Sequence, residues 1–488
     1  METTGLDGLY FASDNVRTLN GAGTISNQAV NRTDEHSMMS FFGRLSYNYK
    51  GRYLAEVNLR ADGSSRFGAE NRFGYFPSAS AAWRFSDESF ADGLGFLTDG
   101  KIRVSIGQTG NEAIPNYVSG GEFAIGTNYL TNSGAAPTVM PNQGLRWEVT
   151  TQYNLGIDLA MFNNRVNFVG DFYIKNTSDL LFAVPIPETT GFGYITRNIG
   201  DISNKGMEFA LNTHNINREF QWSSSFNIGF NRNKVVDLPD EVLTNGYIQN
   251  GTYHILMEGQ PIGTFYGWKF LGVYSRDEDN VNQVRFGSAT GQPFIGGDPI
   301  WDDVNNDNVI NDEDKQIIGD AQPLFAGGFG NDFSYKNFGL NIFLQFCYGN
   351  DIYSHLNNMR NWVFAYNNVS TDALNRWREQ GDVTDYPAPV RNDPKRNEYL
   401  RVSDRWVEDG SYMRLKNVTF SYTVPKSITD RAGISRVRAY VTGENLLTFT
   451  HYTGYDPEVN SYSGLQVGVD EGAYPQSRTV VFGLNVEF

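Results

Sequence analysis

Asp303, Asn305, Asp307, Val309, Asn311 and Asp314 fall in the segment Asp303-Val304-Asn305-Asn306-Asp307-Asn308-Val309-Ile310-Asn311-Asp312-Glu313-Asp314, at the ligand positions of a twelve-residue calcium loop. A hard cation wants oxygen donors. Asp303, Asn305 and Asp307 would offer side-chain oxygens, Val309 its carbonyl, Asn311 a direct or water-borne contact, and Asp314 the closing carboxylate, with Ile310 anchoring the loop. Asn308 replaces the sharp-turn glycine and Asp314 the longer glutamate. Asparagine tolerates the left-handed conformation, and the shorter carboxylate points to weak, extracellular-type affinity. A solvated, Asx-rich turn would use the same residues, so both readings stand at this level.

Other chemistry is sparse. His36, His214, His254, His355 and His451 show no metal-ligand spacing and are expected in exposed loops. G-x-S-x-G, H-E-x-x-H and P-loop patterns are absent, and scattered carboxylates nominate no catalytic pair, so no enzyme is expected. A net charge of −16 without a basic tract argues against nucleic acid as a partner. Cys347 is the lone cysteine, expected on the polar face of a strand as an incidental small residue. Tyr117, Tyr129, Trp362, Tyr366 and Trp406 could stack on sugars or receive peptide side chains, although packing of the loops against one another or against a partner protein is the more ordinary use of such faces.

The elements that would position these residues are strands. Val480, Phe482, Leu484, Val486 and Phe488 fall on one face of the last strand, and Val481, Gly483, Asn485 and Glu487 on the other. The same period of two places Tyr53, Val57 and Leu59 opposite Glu56, Asn58 and Arg60, and recurs at Tyr153, Leu155, Ile157 and Leu159 and at Leu340, Ile342, Leu344 and Phe346. One face suits lipid and the other a wet lumen. About thirteen strands are expected, near 40–49, 52–62, 74–86, 101–109, 147–161, 165–178, 205–215, 219–233, 324–335, 338–348, 412–424, 435–446 and 477–488.

Connection length sorts by parity along the chain. Tight polar turns at Tyr49-Lys50-Gly51-Arg52, Phe162-Asn163-Asn164-Arg165, Ile216-Asn217-Arg218-Glu219 and Tyr335-Lys336-Asn337-Phe338 suit the periplasmic side, and the long insertions between them the outside. A soluble sandwich does not sort its connections this way, and no apolar run is long enough for a spanning helix. The expectation is therefore an all-β fold, an antiparallel transmembrane β-barrel in lipid, with Ile352 to Trp377 the best helical candidate in an external loop. An odd number of strands leaves two edges that lipid cannot satisfy, so the sheet expects further strands beside it.

Several segments resemble SusC/RagA-type TonB-dependent outer-membrane transporters. They are Leu59-Arg60-Ala61-Asp62-Gly63-Ser64-Ser65-Arg66-Phe67-Gly68, Phe76-Pro77-Ser78 with Ala82-Trp83-Arg84, Gly107-Gln108-Thr109-Gly110-Asn111, and Pro141-Asn142 leading to Leu145-Arg146-Trp147-Glu148. Further on stand Tyr412-Met413-Arg414-Leu415-Lys416-Asn417-Val418, Gly443-Glu444-Asn445-Leu446, Tyr455-Asp456-Pro457-Glu458, Tyr474-Pro475, Arg478-Thr479 and the terminal Phe488. The resemblance implies a barrel of about twenty-two strands occluded by a plug. It also implies a SusD-like lipoprotein lid, TonB energy and an oligosaccharide or peptide substrate, and similar calcium-like loops occur in the family. Residues 1–488 would be the C-terminal part of such a barrel, with signal, extension domain, plug and first strands expected elsewhere. A passive barrel segment without energy coupling is the alternative.

Overall fold

The computed structural model describes residues 8–11, 22–25, 34–125, 134–240, 243, 247–361, 368–389, 401–458, 461 and 464–488. Thirteen strands form one antiparallel sheet in which each pairs with its neighbours in chain order. They are β1 (Met38–Tyr49), β2 (Tyr53–Ser64), β3 (Phe73–Arg84), β4 (Leu97–Asn111), β5 (Glu148–Met161), β6 (Val166–Ser178), β7 (Asp201–Asn217), β8 (Phe220–Asp237), β9 (Phe325–Tyr335), β10 (Phe338–Tyr348), β11 (Tyr412–Thr423), β12 (Arg436–Thr450) and β13 (Thr479–Glu487). The alternation read from sequence is the alternation observed. Phe482 and Leu484 are 81% and 66% exposed, as lipid-facing side chains of a chain seen without lipid should be.

The register carries the apolar face across the sheet: Val104 pairs with Leu155, Leu155 with Phe172, Phe172 with Met207 and Met207 with Phe230. Aromatic rings then continue it, with Phe230 at 5.9 Å from Phe325 and Phe325 at 5.1 Å from Tyr348. Tight turns close one end of the sheet. Lys50 and Gly51 (φ 55° and 70°) and Asn163 and Asn164 (φ 56° and 63°) take left-handed backbone there, which Gly and Asn tolerate best. Two connections at that end are longer, carrying a 3-10 turn at Phe85–Asp87 and short helical turns at Lys426–Thr429 and Asp430–Ala432.

The hydrophobic core lies not between layers but beyond the sheet's outer end. Phe67, Phe76, Leu145 and Trp147 form one cluster, Phe265, Tyr353, Trp406 and Val469 a second, Val184, Val235 and Leu256 a third, and Trp268, Phe294, Trp301 and Ile310 a fourth. All four are built from the long connections and the strand ends that feed them. The helix expected over 352–377 is not formed as one element. Asp351–Ser354 is a short strand paired with Val407–Asp409 and Val469–Asp470, and among the described residues of that span helical structure is confined to His355–Arg360 and the 3-10 turn Thr371–Asn375, because Ile352 and Tyr353 are buried by sheet pairing rather than along a helical face. No described helix is long and apolar enough to cross a membrane. β1 and β13 are each paired on one side only among the described residues.

Candidate functional site

The Asp303–Asp314 loop sits in the outer connection between β8 and β9. Asn306 and Asn308 have φ of 59° and 61°, so Asn308 takes the left-handed turn that a calcium loop gives to glycine. The Asp303 carboxylate accepts the Asp307 and Asn308 amides (3.2 and 2.8 Å), the Asn305 side-chain oxygen accepts the Asp307 amide (3.1 Å), and Asp307 accepts the Val309 amide (2.8 Å). Val309–Ile310 pairs in parallel with Arg285–Phe286, and Ile310 is fully buried, which is the anchoring expected of it.

Asn311 caps the 3-10 turn Asp312–Asp314 by accepting the Glu313 amide (2.6 Å), while Asp314 accepts the amides of Val304 (3.1 Å) and Asn311 (2.8 Å) and so ties the loop's end to its start. Asp314 is wholly buried. Burial pushes its carboxyl up against those two amides, and the nearby Asp303 and Asp307 carboxylates push the same way. Among the described residues no three His, Cys, Asp or Glu side chains form a ready metal cage, so a cation here would rely on neutral oxygens from Asn305, Asn311 and the Val309 carbonyl as well. Glu313 accepts from the Asn305 amide group (3.3 Å), an acidic neighbour that the template does not include.

The loop is held from behind. The Trp268 indole donates to the Asn311 carbonyl (2.9 Å), with the Lys315 ammonium and the Arg401 guanidinium 4.4 and 4.2 Å from its ring centre.

A second polar constellation joins two segments that stand apart in sequence. Arg414, buried on the lumen side of β11, donates to Asp456 (2.5 Å), Glu458 (2.6 Å) and Thr448 (2.9 Å). Asp456 also accepts the Glu458 and Gln476 amides, at 2.9 and 3.0 Å, and Gln345 and Lys416 reach Glu458 at 3.1 and 3.3 Å. The last outer connection is thereby fastened to the inner wall.

The lumen wall itself is charged. Asp158 takes Lys101 (2.7 Å) and Arg103 (2.8 Å), Arg103 also meets Asp171 (3.1 Å), Arg60 meets Asp62 (2.6 Å), and Arg44 pairs with Glu56. Cys347 shares that side, its thiol 3.4 Å from the Asn350 side-chain oxygen.

The expectation of exposed-loop histidines needs correction at two positions. His254 is not exposed: its Nε2 lies 2.8 Å from the Val467 carbonyl and its ring packs on Phe265, while His214 lies within β7 rather than in a loop. Trp406 is buried in a loop core and unavailable for stacking, whereas Tyr117 is 45% exposed with its hydroxyl accepting the Glu35 amide (2.8 Å). Tyr129, Trp362 and Tyr366 lie outside the described residues.

Residues 2–446 match the family model described as TonB dependent receptor-like, beta-barrel. The chain is 37% identical to TonB-dependent receptor P3 of Formosa agariphila, over 97% of this chain and 47% of that protein. It is 30% identical to TonB-dependent receptor SusC of Bacteroides thetaiotaomicron, over 93% and 44%. Among solved structures it matches the RagAB peptide transporter with a TM-score of 0.80 and 26% identity, covering 98% of this chain and 50% of that one. The chain spans about half the length of the relatives it matches. An apolar outer face, a charged inner wall and outer loops with their own cores are the features that such a receptor places in the outer membrane, and the chain belongs to the SusC/RagA type of the TonB-dependent receptor family as a stretch of its β-barrel, a transporter family rather than an enzyme family.

Proposed function

We propose that the protein of which this barrel forms part imports oligosaccharides or peptides across the outer membrane, with TonB energy and beneath a SusD-like surface lipoprotein. The observation that carries this is the fastening of large, self-cored outer loops to a charged inner wall through Arg414, Asp456 and Glu458. A passive pore has no use for so much ordered chain above its mouth. The RagAB match, a peptide transporter, supports the peptide half of the reading. Deleting the full-length gene in its host should abolish growth on one defined peptide or oligosaccharide pool, and so should deleting TonB. Uptake that persists without TonB would instead mark a passive barrel.

The Asp303–Asp314 loop is further proposed to take calcium on Asp303, Asn305, Asp307, the Val309 carbonyl, Asn311 and Asp314. The left-handed Asn308, the buried Ile310 and the Asp303 and Asp307 carboxylates, near enough to push the Asp314 carboxyl up, support the fit. A divalent cation would neutralise carboxylates that now repel one another. Asp307→Ala is expected to weaken calcium affinity at least about tenfold by removing a charged ligand. Limited proteolysis of the loop with and without calcium reads this out. Digestion indifferent to calcium in the unmodified protein rejects the site.

A further inference from the structure

Midway across the sheet, far from both open edges, the membrane face of β4 to β8 holds an open apolar depression of about 920 Å³. Leu155, Phe172, Ile174, Met207 and Phe230 supply its walls, and no Asp or Glu lines it. Its outer end is cationic. Lys205 lies directly opposite Arg232 in the register, and Lys234, which pairs with Ser203 two residues further out, shares their face.

Like charges directly opposite across a sheet repel, and this sheet places two such cations together at the edge of an apolar belt. All three side chains are exposed, and among the described residues none forms an ion pair with a carboxylate. Asp320 is close enough to feel Arg232, but its carboxylate is committed to the Gln322 amide (2.9 Å). Arg232 is not loose: one guanidinium nitrogen donates to the carbonyls of Asn231 and Leu324, both at 2.9 Å, which fixes its position at the end of the groove. In a chain of net charge −16, a cluster of three cations on the membrane face is a local reversal of sign.

The strand ends bearing Lys205, Arg232 and Lys234 feed the long connections, so this is the outer-leaflet side. We propose that the depression is a binding site for a phosphorylated lipid of the outer leaflet. Its acyl chains lie along Phe172, Met207 and Phe230, and its phosphate bridges Lys205, Arg232 and Lys234. An anion there relieves the facing charges through charge-assisted hydrogen bonds, and the apolar wall supplies the remaining affinity.

The test uses the full-length protein in detergent, with bisphosphorylated lipid A as probe, read by native mass spectrometry. The unmodified protein should retain lipid A, and the triple variant Lys205→Gln, Arg232→Gln, Lys234→Gln should bind it at least about tenfold more weakly, as the loss of three basic contacts at a membrane surface implies. Dephosphorylated lipid A should be retained poorly, and inorganic phosphate alone should not be retained. Lys205→Arg with Lys234→Arg keeps the charge and should bind like the unmodified protein, which guards against misfolding of the triple variant. Equal retention by the triple variant, equal retention of dephosphorylated lipid, or capture of free phosphate without lipid would each overturn the proposal and reduce the cations to interfacial anchors.

Discussion

Arg414→Ala is expected to release the 451–478 connection from the inner wall and to destabilise that connection locally by roughly 3–5 kcal/mol, because it leaves buried carboxylates without their cation. Asp456 is almost fully buried and Glu458 partly so, and both are oriented by the same guanidinium. Hydrogen exchange of residues 451–478 in the full-length protein measures the effect. Replacing all three groups together, Arg414→Met with Asp456→Leu and Glu458→Met, should recover much of the loss, since a well-packed apolar substitute carries no stranded charge. Protection unchanged in Arg414→Ala would mean that the loop is held by its apolar contacts alone.

The same network sets a pH dependence. Burial alone would raise the Asp456 carboxyl, but the Glu458 and Gln476 amides and the Arg414 guanidinium overcome it and hold the group below its usual 3.8. An acid depressed in the folded state stabilises fully above its unfolded value and loses that contribution as pH falls through the depressed one. The fastening should therefore persist through mild acid and fail only once pH falls below the ordinary carboxylate range.

Trp147→Ala should cost roughly 3–5 kcal/mol in the first loop cluster, the range for emptying a buried tryptophan site. The indole lies 5.2 Å from Phe67 and 5.4 Å from Phe76, ring centre to ring centre, and donates to the Arg72 carbonyl at 3.1 Å. One residue therefore joins β3, the 65–72 connection and the start of β5. Trp147→Phe, which keeps most of the volume and loses the hydrogen bond, should cost much less. Exchange rates in 65–72 and 112–147 that ignore Trp147→Ala would show that the cluster is not the unit holding these loops.

The barrel wall was legible in sequence because lipid and lumen impose opposite demands on alternate residues, a local pattern. β6 and β10 match their expected spans within a residue. β7 and β8 run further outward than the apolar pattern reached, since their polar ends pair through Asn204, which accepts from Asn231 (3.1 Å) and Asn233 (2.9 Å). The Arg414 network could not be read this way. Its partners lie 42 and 44 residues on, and only the fold of the last outer connection brings them back. His254 is a harder case still, its burial depending on Val467, 213 residues away. The spacing of the Asp303–Asp314 loop was visible, but its attachment through Trp268 was not, because the indole comes from a neighbouring turn of the same insertion.

The placement of all four described clusters beyond the sheet means that this chain answers to two solvents at once. The wall owes its cohesion to backbone pairing that hydrocarbon makes obligatory, whereas the outer loops are condensed by water as in any soluble domain. Urea therefore acts on one half and detergent on the other. A single melting temperature would average two events, and the loops could fray while the wall stayed whole. A receptor divided in this way can rearrange its mouth without disturbing its seat in the membrane.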